Sequence, residues 1–202
     1  MFVTADAHFG HANIIGYTQR PYRSVDEMNR ALVDLWNDTV DPHDEVLVLG
    51  DVVLGPFAES LRFVAELNGI KTLVPGNHDR CWAGHGAKAA AKRDVYLDAG
   101  FEAVVDVHPA LVLAGELTIL SHFPYRGDSH DEDRYVDARP ADHGHWLLHG
   151  HVHERWRQRG RMINVGVDAW AGRPVSLERL ADLVRCGEQQ LAPLAWEAAL
   201  DE

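Results

Sequence analysis

The chain has 202 residues, 46% of them hydrophobic, with only Cys81 and Cys186 as cysteines, which points to one domain over residues 1–202 and excludes a disulfide scaffold or a thiolate zinc site. Its 31 acidic residues against 19 Lys and Arg give a formal net charge of −12, a field that repels polyanions and disfavours long DNA or RNA as a partner. No apolar run approaches the ~20 residues of a membrane span and the first residues lack a basic stretch, so a soluble, cytoplasmic protein is expected.

Residues 1–5 read as a short strand that delivers Asp6 and His8 at its carboxyl end. A helix follows from Ser24, which has the capping-box spacing to Glu27, and Val25, Met28, Leu32, Leu35 and Trp36 make its apolar face. Residues 46–49 form a continuous apolar run, as in a strand covered on both faces, closed by Gly50 and Asp51. Residues 56–68 read as a helix with Leu61, Val64 and Leu67 inward and Gly69 at its C′ position, and 72–74 as the next strand. That strand, helix, strand order implies parallel pairing with a right-handed crossover and a ligand site beyond the carboxyl ends of the strands. Residues 103–107, 110–113 and 117–120 read as short strands, the last two a hairpin. The polar stretch 124–145 reads as a long surface loop, functional or mobile. Residues 146–148 and 162–167 complete the strands, and 176–186 form a helix with Leu177, Leu180, Leu183 and Val184 inward.

Five segments place metal-binding side chains where an apolar run ends: Asp6-Ala7-His8, Gly50-Asp51, Gly76-Asn77-His78-Asp79, Ser121-His122 and His149-Gly150-His151-Val152-His153. Alternate residues of an extended segment project to one side, so Asp-x-His and His-x-His pairs can converge on one cation. Gly50, Gly76 and Gly150 suit tight turns close to it. Each segment alone could be an ordinary polar turn; five in this order point to a metal site.

With these motifs the chain resembles the calcineurin-like metallophosphoesterase family, over Asp6 to His153, about three quarters of its length. His8-Phe9-Gly10-His11 followed by Arg20-Pro21-Tyr22 is similar to a compact bacterial and phage branch. The resemblance implies an α/β fold, a four-layer αββα sandwich of two mixed β-sheets flanked by helices. It implies that Asp6, His8 and His153 hold one divalent metal, that Asn77, His122 and His151 hold a second, and that Asp51 bridges them. It also makes His78 the proton donor, with Asp79 orienting it through a hydrogen bond. An oxygen and imidazole set without thiolates suits Mn²⁺, the first choice, or Fe²⁺, Zn²⁺, Ni²⁺ or Co²⁺.

Two divalent cations against two carboxylates leave a local surplus of positive charge, so a phosphate ester can bind although the protein is acidic. They would activate a water as hydroxide for in-line displacement, and no covalent nucleophile is needed. The expected substrate is a small phosphodiester or phosphomonoester such as a nucleotide. A nuclease or protein phosphatase and a non-catalytic metal-binding scaffold are the alternatives; the acidic balance and the full ligand set count against them. His11, Arg20, Arg23, Arg80 and Arg126 are candidates to reach the phosphate. His85, His130, His143 and His145 read as solvated loop residues, and Cys81 as a structural or incidental thiol. Asn164 either braces the metal loops or serves a turn.

Overall fold

The computed structural model describes residues 1–106 and 109–196. In chain order its strands are β1 (Phe2–Thr4), β2 (Glu45–Val48), β3 (Ile70–Leu73), β4 (Phe101–Val104), β5 (Ala110–Leu113), β6 (Glu116–Leu120), β7 (Trp146–His149), β8 (Gln158–Gly160), β9 (Met162–Asn164), β10 (Val175–Ser176) and β11 (Gln189–Leu191). Its helices are α1 (Ile14–Tyr17), α2 (Val25–Asn37), α3 (Phe57–Leu61), α4 (Arg93–Asp98) and α5 (Leu177–Cys186).

The strands form two mixed sheets flanked by helices, with orders β10-β1-β2-β3-β4 and β11-β8-β9-β7-β6-β5. β1 through β4 pair in parallel and β10 is antiparallel to β1. In the second sheet β6, β7 and β9 are parallel, while β5, β8 and β11 join antiparallel. The expected hairpin is the pair β5 and β6, in register Ala110 with Ile119 to Leu113 with Glu116.

The apolar run 46–49 shows why a strand with two covered faces needs no alternation. Val46 and Val48 join a core with Met28, Leu32 and Trp36 of α2, whereas Leu47 and Leu49 face a second core with Leu120, Trp146, Leu148 and Ile163 of the other sheet. α2 starts as expected, with the Ser24 hydroxyl accepting from the Glu27 N–H. The reciprocal bond is displaced by one residue, since the Glu27 carboxylate accepts from Arg23 N rather than from Ser24. α5 begins on Ser176, whose hydroxyl accepts from Arg179 N, and contacts the edge strands β10 and β5.

The segment 56–68 departs from the expected single helix. α3 has five residues and tightens into a 3₁₀ stretch, Arg62–Glu66, after which Leu67 turns extended at φ −83° and ψ 128°. A 3₁₀ turn rises about 2.0 Å per residue against 1.5 Å, which carries so short a crossover back to β3. Leu61, Val64 and Leu67 are buried as expected, but Gly69 stands beyond the helix and turns the chain into β3. α4, β8, β10 and β11 were not legible as separate elements. β4 belongs to the first sheet, and the end of the expected strand 103–107, Val107, lies outside the described residues. Among the described residues no helix is long and apolar enough to cross a membrane.

Candidate metal centre

Asp6, Asp51 and Asn77 follow β1, β2 and β3, and His122, His151 and His153 follow β6 and β7, so the carboxyl ends of both sheets meet at one place. A backbone bond from Asp6 N to Gly50 O (3.0 Å), one from Gly150 N to His122 O (3.0 Å) and one from Val167 N to Ala5 O (3.0 Å) tie these ends together. Of nine non-glycine residues with positive φ among the described residues, five are Asp6, His8, Asp51, His151 and His153. Such conformations cost about 1–3 kcal/mol each and persist where surrounding structure enforces them, typically at functional sites. Glycine makes the approach feasible: a Cβ on Gly50, at φ +85°, would lie 2.3 Å from Gly76 N, and one on Gly76 would lie 2.3 Å from Asp51 Oδ1.

Two groups bring ligand atoms within 4.8 Å of one another, Asp6 with His8 and His153, and Asp6 with Asp51 and His122. Asp51 Oδ2 is central, 3.6 Å from His8 Nε2, 3.4 Å from His122 Nε2 and 4.0 Å from His78 Nε2, while Asp51 Oδ1 accepts from His78 N at 2.9 Å. His122 donates Nδ1–H to the Leu49 carbonyl (2.8 Å), which leaves a lone pair on Nε2, 3.1 Å from Asn77 Oδ1. Three acceptors thus converge with no donor between them, an arrangement a cation satisfies. His8 is buried and neither ring nitrogen has a hydrogen-bond partner, a cost that a bound cation removes. The donor set and these orphaned atoms fit divalent metal.

The electrostatics agree. Burial raises the Asp6 carboxyl to about 6, and it also raises Asp51, against the opposing charges of His78, His153 and Arg134. Buried carboxylates so short of countercharge are stabilised by a cation. Burial lowers His8 and His122 and takes His151 down to about 3, which keeps these imidazoles neutral, as ligands must be. His153 is the exception: burial opposes its charge too, but the hydrogen bond to Asp168 and the Asp6 charge outweigh it and raise the group to about 9, so this ring must give up a proton to hold a metal.

Two carboxylates behind the rings had not been singled out. Asp168 Oδ2 lies 3.1 Å from His153 Nδ1, and Asp128 Oδ2 lies 2.9 Å from His151 Nε2. Each fixes a ring by its outer nitrogen, the arrangement that orients histidine ligands at metal sites. Asp168 ends an apolar run like the other motif residues and carried that same signal; Asp128 was one acid among several in the 124–145 loop. That loop is pinned rather than free: Asp128 is 4% exposed and accepts from His130 N, Arg134 N and the Arg134 guanidinium.

Other expectations change. Asp79 does not orient His78; its oxygens accept from Asp51 N (2.8 Å), Gly76 N (2.9 Å) and Val52 N (3.1 Å), and among the described residues no hydrogen bond joins it to the His78 ring. Asp79 spends its oxygens on three backbone N–H groups and not on the exposed ring, so it braces the loops. Arg20 does not reach toward substrate either. It is buried, bidentate on Asp168 (2.8 and 2.9 Å), and it donates to the Ala7 and Asp6 carbonyls. Arg80 stacks over Phe57 at 3.9 Å, and Arg126 lines a separate groove with Arg159 and Glu188. Asn164 is a brace, donating to the His153 and Trp156 carbonyls and accepting from Gly166 N. His11 and His130, with His8, His78 and His153, line a cavity of about 450 Å³.

The Arg20 and Asp168 pair gives a stability test. Arg20→Gln leaves the Asp168 charge buried with its main partner gone, and such losses cost about 3–5 kcal/mol. Urea unfolding should show a loss of unfolding free energy of that size, and a loss under ~1 kcal/mol would refute the structural role. Cys81 is 1% exposed and burial pushes its thiol up, whereas Cys186 is exposed. An aromatic disulfide reagent should therefore titrate one thiol in the native protein and two after denaturation.

Two mixed sheets flanked by helices, with Asp and His side chains that could hold metal at the carboxyl ends of their strands, define an α/β sandwich protein with a candidate metal centre. The chain is 34% identical over 200 residues to the gene 66 protein of Mycobacterium phage L5, covering 90% of this chain and 92% of that protein, and it belongs to the same family. It is 29% identical over 197 residues to the uncharacterized protein MJ1445 of Methanocaldococcus jannaschii, covering 93% of each. In solved structures it is similar to the protein of unknown function AQ665 from Aquifex aeolicus, with TM-score 0.64 and 27% identity over 91% of this chain and 98% of that one. No family model matches the chain.

Proposed function

We propose that this protein is a dinuclear metal-dependent phosphohydrolase of the calcineurin-like metallophosphoesterase type, cleaving the phosphodiester or phosphomonoester bonds of small substrates such as nucleotides. The observation that carries this reading is the convergence of acceptors on Asp51 Oδ2, with His8 buried and unpartnered beside it. In this reading Asp6, His8 and His153 would hold one cation, Asn77, His122 and His151 would hold the other, and Asp51 would serve both. Divalent metal bound there, Mn²⁺ foremost, would supply Lewis-acid polarisation of the phosphoryl group and a water nucleophile at neutral pH.

The chain's own residues do the rest. Asp128 and Asp168 hold the rings of His151 and His153, and Asp79 holds the turns that carry Asp51 and Gly76. His78 is the exposed member, with its side chain 39% exposed and Nε2 4.0 Å from Asp51 Oδ2. Burial lowers its proton affinity while the Asp51 carboxylate raises it. A ring so placed can give its proton to a departing oxygen. Metal-free protein reloaded with single metals should hydrolyse bis(4-nitrophenyl) phosphate or 4-nitrophenyl phosphate, best with Mn²⁺. Two bound metals by elemental analysis with no turnover of any ester would instead favour the scaffold reading.

A further inference from the structure

The cavity beside His8, His78 and His153 has two unlike walls. One is apolar: Ile14, Leu54 and Tyr17, the last at the end of α1 with 70% of its surface exposed. A lone exposed tyrosine needs no explanation, but this one lines the same concave site as two aliphatic side chains, its ring edge-on to His11 at 6.1 Å. The other wall comes from the pinned loop. Asp128 binds the Arg134 guanidinium through Nε and Nη2, and among the described residues Nη1 has no hydrogen-bond partner. Arg134 therefore presents a fixed cation to the cavity, with one edge free for a phosphoryl oxygen. Glu154, exposed on the same cavity, repels a second anion and accepts from hydroxyl or amino donors.

From this layout we infer that the site takes a nucleotide: a phosphoryl group on Arg134, sugar hydroxyls or an amino group toward Glu154, and a planar base against Tyr17, Ile14 and Leu54. The inference rests on the phosphoesterase reading for what happens to the phosphate, but recognition of the organic group stands apart from it. The 450 Å³ volume falls in the range of small-ligand sites, roughly 300–1,000 Å³, and has room for one nucleoside unit. Base stacking on an aromatic ring has an alanine-substitution effect of roughly 5- to 150-fold in affinity.

The test is titration calorimetry of metal-loaded protein with adenosine 5′-monophosphate and with inorganic phosphate, turnover of a 4-nitrophenyl ester being measured in parallel. The nucleotide should bind at least ~5-fold more tightly than phosphate. Tyr17→Ala, at an exposed position, should remove that difference while leaving phosphate affinity unchanged. Arg134→Gln should weaken both probes by the same factor. Equal affinities in the wild type, or an unchanged ratio in Tyr17→Ala, would overturn the inference even where the nitrophenyl ester is hydrolysed. Nucleotide preference without turnover of any ester would uphold it and refute the hydrolase reading instead.

Discussion

Asp51→Asn is expected to release metal and to lower kcat by ~10³ or more without unfolding the protein. Asp51 Oδ2 lies within 3.6 Å of both His8 Nε2 and His122 Nε2, so one oxygen serves both halves of the candidate centre. Stabilisation of transition-state charge by such ions is several kcal/mol, and each 1.4 kcal/mol is tenfold in rate. The amide is nearly isosteric, and its oxygen can keep the bond from His78 N that Oδ1 now accepts. Because burial raises the Asp51 carboxyl, removing the charge relieves a penalty in the metal-free protein. Metal-free wild type and variant should therefore melt within a few degrees of one another, while only the wild type gains stability on adding metal. Unchanged metal content in the variant would remove Asp51 from the ligand set.

His78→Ala should keep both metals yet lose activity in proportion to how poor the leaving group is. An alkoxide at a ribose carbon must be protonated as it departs, and general-acid assistance amounts to roughly 10²–10⁴ in rate; a nitrophenolate departs almost unassisted. The loss in kcat/KM should therefore reach that range for a nucleotide diester and stay within about tenfold for a nitrophenyl ester. Equal losses on both would mean that the ring stabilises phosphoryl oxygens and gives up no proton. Loss of a metal on elemental analysis would place His78 among the ligands. The placement of the ring, half-exposed at the mouth and 4.0 Å from Asp51 Oδ2, suits a group that moves a proton better than one that anchors an ion.

The residues that converge at the centre were legible because their signal is local. An apolar run that ends on Asp, Asn or His announces a strand whose carboxyl end carries a ligand, and β1, β2, β3, β6 and β7 each do so. The apolar runs also sufficed for the parallel pairing of β2 with β3 and for the β5 and β6 hairpin, while the two mixed sheets followed from the family resemblance. Regions without such periodicity were misread: 56–68 as one helix, and 83–98 not at all, where 3₁₀ turns and the short α4 depend on packing against the sheet.

What holds those side chains in place was decided by the tertiary structure. Arg20, read as a candidate for the phosphate, is drawn inward by Asp168, 148 residues away, because two charges shut off from water must find each other. Asp79, read as the partner of His78, is captured by the N–H groups of Asp51, Val52 and Gly76, whose tight turns leave them without another acceptor. Asp128 is one of several acids in a polar loop and gains its place only because folding sets the His151 ring beside it. The sequence by itself determined which groups gather, since strand ends and alternation are short-range properties of the chain. Which of them brace the others was settled by burial, where Arg20, Asp79 and Asp128 each take the partner within reach once water is gone.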